Sequence, residues 1–343
     1  MSFEEKKVLV VGTGKSGVAA TGLLLKEKVQ TVLFDADKEL DTKEFFEKNP
    51  SLNGVSLILG DLSDEQIKQF DIAVLSPGVP TDIPMVNRLR DAGVKIWGEI
   101  ELAYAFGKGR IIAITGTNGK TTTTALTGEI MADHYDDVRV VGNIGIPYTS
   151  MVQGTTEETV TVAEISSFQL ETIHEFKPHV SAILNITPDH LNRHHTMENY
   201  IKAKEDITKN QTADDFCVLN YEDEVLRNFA EKCPAKVIFF SSRRVLDEGF
   251  YLDGEEIMYA HDNKTDRVIN VNDLNLLGRH NYENVMAACA MSVSIGVPMD
   301  KIVEVLKTFK AVEHRIEYVT EKRGVRFYND SKGTNPDAAI QGI

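Results

Sequence analysis

The sequence is poor in cysteine, short of positive charge and without a long apolar run. Its three cysteines, Cys217, Cys233 and Cys289, stand too far apart for a C-x-x-C metal or redox motif, and their odd number argues against a disulfide framework. Lys and Arg number 37 against 52 Asp and Glu, a net charge of −15, which argues against broad binding to nucleic acid or an anionic membrane surface. No stretch approaches the roughly 18 apolar residues of a spanning helix, and residues 1–7 lead into a strand pattern without the apolar core of a targeting segment. These absences predict a reducing, cytoplasmic setting, no nucleic-acid partner and no membrane insertion. The rest is ordinary for a folded protein, with 42% hydrophobic and 26% charged residues. At about 150 residues per domain, 343 residues predict roughly two domains.

The first hundred residues alternate β-rich runs at 8–11, 31–34, 55–59, 72–75 and 94–97 with helical patterns, which predicts a parallel sheet with helices on its faces. A second α/β unit opens after Gly98, with strands expected at 110–114, 138–141, 159–163, 180–186, 216–219 and 236–240. Residues 249–271 carry Asp253-Gly254 between β-type runs and read as antiparallel hairpins. Helical patterns follow at 280–295 and 299–309, and another is expected over 197–209. A further strand at 325–328 runs into Asn329-Asp330-Ser331-Lys332 and reads as the opening of another βα unit.

Two turns carry nucleotide chemistry. Gly12-Thr13-Gly14-Lys15-Ser16-Gly17 is a G-x-G-x-x-G turn between strand and helix, with Asp35 closing the next strand. It suits a diphosphate at a helix N-terminus but leaves open NAD, another nucleotide or a structural turn. Gly116-Thr117-Asn118-Gly119-Lys120-Thr121-Thr122 carries the G-K-T of a phosphate-binding loop, although Ile114 stands where the first glycine of that motif belongs. Its backbone N–H groups would wrap the phosphates, Lys120 would neutralise them and Thr121 would reach Mg²⁺. Two such turns disfavour a plain dehydrogenase and point to ATP-spending chemistry.

Other candidates are weaker by themselves. Glu164 ends an apolar strand ahead of Ser166 and Gln169, as a metal-binding carboxylate or a solvated strand end would. His190, His194 and His195 allow zinc, one functional histidine near the phosphates, or solvated side chains. Gly142-Asn143-Ile144-Gly145 is a binding loop or a β-turn, and Asn281 and Asn284 present amides to a base or cap a helix. Lys204 alone reads as a surface lysine, and Ser76-Pro77-Gly78 is turn chemistry at a strand's carboxyl end.

Taken in order, Gly116–Thr121, Gly142–Gly145, Glu164-Ile165-Ser166-Ser167-Phe168-Gln169-Leu170-Glu171, Asp189-His190, Gly278-Arg279-His280-Asn281-Tyr282-Glu283-Asn284, His314-Arg315 and Asn329-Asp330-Ser331-Lys332 resemble the Mur ligases along the whole chain. The closest branch is the one that adds D-glutamate to UDP-N-acetylmuramoyl-L-alanine. The resemblance implies an α/β fold in three parts: a Rossmann-like UDP-binding domain over 1–98, a central P-loop-type ATP-binding domain with added hairpins over 99–311, and the start of a C-terminal Rossmann-like ligase domain over 312–343. It implies that Gly14, Lys15, Ser16, Asp35 and Gly78 frame UDP, and that Asn143, Ser166, Gln169 and His190 contact the muramoyl-alanine part. Lys120, Asn281, His314, Arg315 and Asp330 would serve ATP. Lys332 and Thr334 would face the acyl phosphate and D-glutamate. Thr121, Glu164, His190 and a carbamylated Lys204 would hold two Mg²⁺ ions. A monomer is expected. Because the third domain only begins, the resemblance implies a truncated and poorly active enzyme; the nearest rivals are another Mur-type or folylpolyglutamate-type amide ligase and, more remotely, an NAD-dependent oxidoreductase.

Overall fold

The N-terminal βα alternation forms a five-stranded parallel sheet. Its elements are β1 (Lys7–Val11), α1 (Lys15–Lys26), β2 (Gln30–Asp35), α2 (Thr42–Lys48), β3 (Ser56–Leu59), α3 (Asp64–Ile67), β4 (Ile72–Leu75), α4 (Pro84–Asp91), β5 (Lys95–Gly98) and α5 (Glu99–Phe106). The strand order is β3-β2-β1-β4-β5, so the order reverses beside β1, the position at the carboxyl ends of β1 and β4 where open α/β sheets bind ligands. Leu9, Val11, Phe34, Ala73 and Leu75 fill the core of this sheet. This is a computed structural model, and it describes residues 3–143, 145–310, 317–329 and 331.

The second sheet has nine strands. Its first elements are β6 (Arg110–Thr115), α6 (Lys120–His134), β7 (Val138–Gly142), β8 (Val160–Glu164), the short α7 (Ser167–Leu170), β9 (Val180–Ile183), α8 (Leu191–His194) and α9 (Met197–Glu205). There follow β10 (Phe216–Asn220), α10 (Glu224–Ala230), β11 (Lys236–Ser241), β12 (Gly249–Asp253), β13 (Glu256–His261), β14 (Lys264–Asn270), α11 (Arg279–Ser294) and α12 (Met299–Thr308). The strand order is β14-β13-β12-β11-β10-β9-β6-β8-β7, parallel from β8 through β12, while the expected hairpins prolong the same sheet at β12–β14. Residues 285–291 of α11 are all buried, as suits a helix that is apolar on every side. Each large aliphatic side chain so enclosed contributes about 1.5–3 kcal/mol.

One expectation changes. The strand expected at 180–186 ends at Ile183, because Leu184 to Thr187 turn to run beside the phosphate loop. The strand expected at 325–328 is present as β16 (Val325–Asn329), which pairs with β15 (Glu317–Lys322) in an antiparallel hairpin, while the helix expected after it lies outside the described residues. Arg323 and Gly324, both with positive φ, make the tight turn between them. Among the described residues no helix is long and apolar enough to cross a membrane.

Packing divides the chain into two compact units: Met1–Gly109 with Val141–Glu157 and Ser167–Phe176, and Arg110–Val140 with Glu158–Ser166 and Lys177–Ile343. A boundary at 98/99 follows strand order, whereas packing follows two carboxylates on the first turn of α5. Glu101 accepts the N–H groups of His174, Glu175 and Phe176 at 2.7–3.1 Å, and Glu99 accepts the N–H and hydroxyl of Thr149 at 2.6 and 2.7 Å. These bonds hold two remote segments to α5, within the first unit.

Burial pushes the Glu99 carboxyl above its ordinary 4.5, against the opposing effect of donors from Thr149 and Tyr148. A carboxyl with a raised folded value holds more protons in the folded state. Its stabilising contribution is complete below the unfolded value of 4.5 and declines as pH rises toward and through the raised one. Glu99→Gln keeps an acceptor for Thr149 and removes the ionisation. The melting-temperature difference between variant and parent should shift in the variant's favour as pH rises from 4.5. A difference independent of pH would show that Glu99 titrates normally.

Candidate functional site

In the first unit the G-x-G-x-x-G turn links β1 to α1. A Cβ on Gly17 would lie 1.8 Å from the Gly12 carbonyl oxygen, so only glycine allows this close approach of helix and turn. The N-cap of α1, Gly14, offers no side-chain cap, and no acidic residue occupies the first turn. The helix therefore presents uncapped N–H groups and the positive end of its dipole to an anion. Lys15 begins the helix and is exposed, and Ser16 is half-buried.

Asp35 holds the turn from β2, its Oδ2 accepting the N–H and hydroxyl of Thr13 at 2.9 and 2.6 Å and its Oδ1 accepting Asp37 N–H at 3.0 Å. Partial burial would raise its carboxyl, but the Thr13 hydroxyl and the N–H groups of Asp37, Thr13 and Ala36 outweigh burial and lower it. Gly78 lies just past β4, with open space where a side chain would be. Ser76 Oγ, also past β4, is buried without a protein partner and faces Gly12 and Gly17.

In the second unit the phosphate loop runs from β6 to α6. Ile114 is fully buried inside β6, which explains the departure from the longer motif: the loop begins at Gly116. Gly119 has φ of 84°, and a Cβ there would lie 2.3 Å from Asn284 Oδ1, so glycine is required twice over. It caps α6 with no side chain, again leaving the first N–H groups to a ligand. Lys120 Nζ folds back onto the carbonyls of Gly116 and Thr117, each at 2.9 Å. Thr121 and Thr122 follow, both buried.

Lys204 is not a surface residue. It is 2% exposed, donates to Gly116 O at 2.8 Å and lies 4.7 Å from the centre of the Tyr200 ring. Burial, reinforced by the charge of Lys120 and opposed by Asp189, holds its amine well below the ordinary lysine range. Tyr200 shares α9 with it, one turn earlier, and its hydroxyl meets Thr117 Oγ1 at 3.0 Å. Burial pushes that phenol up to about 12.

A hard divalent cation suits this end of the sheet. Thr121 Oγ1 is buried without a protein partner, and Glu164, also buried, ends β8 in register with Ile114 of β6. Hydroxyl and carboxylate oxygens beside a phosphate loop are the donor set for Mg²⁺, which takes one or two protein ligands and completes its shell with phosphate and water. Among the described residues no cluster of three or more His, Cys, Asp or Glu could hold a metal unaided. The three histidines do not converge: His194 is buried with its ring 5.2 Å from that of Tyr200, while His190 and His195 are exposed.

The remaining candidates stand on separate elements. Asn143 is exposed in the loop after β7, Gln169 is buried in α7, and Ser166 is half-buried after β8. Asn281 is buried at the start of α11 and donates to Leu277 O at 2.7 Å. His314, Arg315, Asp330, Lys332 and Thr334 lie outside the described residues. Sequence reasoning assigned no role to Asn185. Its signal was a polar residue interrupting the apolar run that closes β9.

The chain matches the family model of the MurD-like N-terminal domain of Mur ligases over residues 6–98 and that of the Mur ligase middle domain over 114–292. It is 58% identical over 343 residues to a UDP-N-acetylmuramoylalanine–D-glutamate ligase of Lachnoclostridium phytofermentans, covering 100% of this chain and 76% of the relative. It is 47% identical to the ligase of that name from Clostridioides difficile, with the same coverage. Among solved structures it is similar to MurF ligase from Thermotoga maritima in complex with ADP, with a TM-score of 0.56, 16% identity and coverage of 99% of this chain and 72% of that one. It is also similar to the UDP-N-acetylmuramate:L-alanyl-gamma-D-glutamyl-meso-diaminopimelate ligase of Neisseria meningitides, at TM-score 0.60 and 17% identity, covering 90% and 99% of the two chains.

Proposed function

The chain belongs to the Mur ligase family, and from that premise we propose that it joins D-glutamate to UDP-N-acetylmuramoyl-L-alanine at the expense of ATP, in cytoplasmic peptidoglycan precursor synthesis. The observation that carries the choice of acceptor is the 58% identity along the entire chain to a D-glutamate ligase. The loop at Gly116–Thr121 supports the nucleotide half. Residues 1–98 serve as the UDP domain, 99–311 as the ATP domain and 312–343 as the opening of the ligase domain. The protein acts as a monomer.

The alanyl carboxylate attacks the γ-phosphorus, the β,γ P–O bond breaks, and an acyl phosphate and ADP form. The D-glutamate amine then attacks the acyl carbon, loses a proton and expels phosphate. Two anions must approach each other in the first step, so catalysis rests on donors placed where negative charge gathers. Lys120 and the uncapped N–H groups of α6 meet the phosphates. Thr121, Glu164, His190 and Lys204 hold magnesium, which supplies charge neutralisation when bound; Lys204 does so as a carbamate, and its buried, weakly basic amine suits the addition of CO₂. Gly14, Lys15, Ser16, Asp35 and Gly78 frame the UDP, and Asn143, Ser166 and Gln169 contact the sugar and alanine. Asn281 serves ATP together with His314, Arg315 and Asp330, while Lys332 and Thr334 face the incoming amino acid.

The test is ADP release from ATP and UDP-N-acetylmuramoyl-L-alanine, with D-glutamate, L-lysine, meso-diaminopimelate or a folate acceptor compared. Release that depends on D-glutamate alone is expected. Release with another partner in its place would reassign the acceptor.

A further inference from the structure

Beyond β9 the chain keeps following the phosphate loop. The ladder between β6 and β9 reaches Thr115 opposite Ile183, and two backbone bonds continue it, Leu184 N–H to Thr115 O at 3.0 Å and Thr117 N–H to Asn185 O at 2.9 Å. The next rung needs both a donor and an acceptor opposite Asn118, where the loop turns toward α6. The Asn185 side chain supplies both: Oδ1 accepts Asn118 N–H at 2.8 Å, and Nδ2 donates to Asn118 O at 3.1 Å. Thr187 N–H then donates to Thr117 Oγ1 at 3.0 Å, so the ladder-like contact extends across the first half of the loop.

We infer that Asn185 is a positioning residue for nucleotide binding, its carboxamide acting as a side-chain rung that holds Asn118 and sets the shape of the phosphate loop. This rests on reading Gly116–Thr121 as the ATP site. Two consequences follow. The N–H of Asn118 is committed to protein, so the phosphates are met by N–H groups from Gly119 onward. The loop's shape is also held by bonds to protein groups, which lowers the entropic cost of binding. A carboxamide is suited to the rung because it donates and accepts in one plane, whereas a carboxylate only accepts and an aliphatic chain does neither.

The experiment is calorimetric titration of the protein with ADP, comparing the parent with Asn185→Leu and Asn185→Asp, with UDP titration and melting temperature measured alongside. Asn185→Leu loses both bonds and should weaken ADP binding about tenfold or more, leaving UDP affinity unchanged. Should that variant fail to fold, the nearly isosteric Asn185→Asp decides. It should also bind ADP about tenfold more weakly at neutral pH. Relative to the parent it should recover in acid, as the introduced carboxyl protonates and regains a donor. A parent that binds ADP and an Asn185→Asp variant within about twofold of it across that pH range would overturn the inference. A parent that does not bind ADP would overturn the reading of the loop and the inference with it.

Discussion

Lys120→Ala lowers the rate of ADP formation by about a hundredfold to a thousandfold and leaves UDP binding intact. The side chain is the half-buried cation at the first position of α6, held by the Gly116 and Thr117 carbonyls at 2.9 Å. A triphosphate offers it better acceptors, and it moves to them with its charge already beside the helix N-terminus. Alanine removes that charge where the transferring phosphoryl group accumulates negative charge, and no reorganisation of the backbone replaces it. Lys120→Arg should not restore the rate, because a planar guanidinium fork cannot take the compact point-charge position of an ammonium against the phosphates. Steady-state ADP release and ADP titration separate the outcomes, and a loss below about tenfold would place the phosphates elsewhere. A side effect has a definite sign. Lys120 helps hold the Lys204 amine down, so its removal should make Lys204 more basic.

Lys204→Ala should cost about a hundredfold or more in the same assay, with partial recovery when acetate or formate is supplied. An amine buried to 2% exposure against Gly116 O and the Tyr200 ring is a poor place for a positive charge, and Lys120 is close enough to oppose it further. A carbamate reverses the sign, placing a carboxylate-like group where the phosphate loop is rich in positive charge. A short carboxylate can enter the space that alanine leaves and stand in for that group. Absence of recovery across a concentration series, in a variant that still binds ADP, would count against the carbamate.

The parts of the fold written in local pattern were legible in the sequence. The turn at Gly12–Gly17 and the loop at Gly116–Thr121 each sit between an apolar β run and a helix, and the structure puts both at strand carboxyl ends. Lys204 was opaque because its burial depends on Gly116 and Tyr200, and nothing beside it in the sequence differs from a solvent-facing helix. Asn185 was opaque for the opposite reason. It follows a run so apolar that the strand seemed to continue through it, whereas its side chain replaces the backbone pairing that stops there. Glu99 and Glu101 carry no sequence signal of their burial; their partners lie 50 and 73–75 residues downstream, a separation that no periodicity reveals. The hairpin of β15 and β16 turns on Arg323-Gly324, whose positive φ angles close it.

The interleaved course of the chain bears on how it is made. A polypeptide emerging from the ribosome completes all five strands of the first sheet by Gly98, yet the donors for Glu99 and Glu101 are not translated until Thr149 and Phe176. Until then α5 carries two carboxylates destined for burial with nothing to receive them. The nascent sheet can form early, but its final closure waits until the first unit's own later segments, which follow two stretches of the second, have left the exit tunnel. A fragment ending at Gly109 would remain permanently at that waiting stage, with its two acidic clasps open to water.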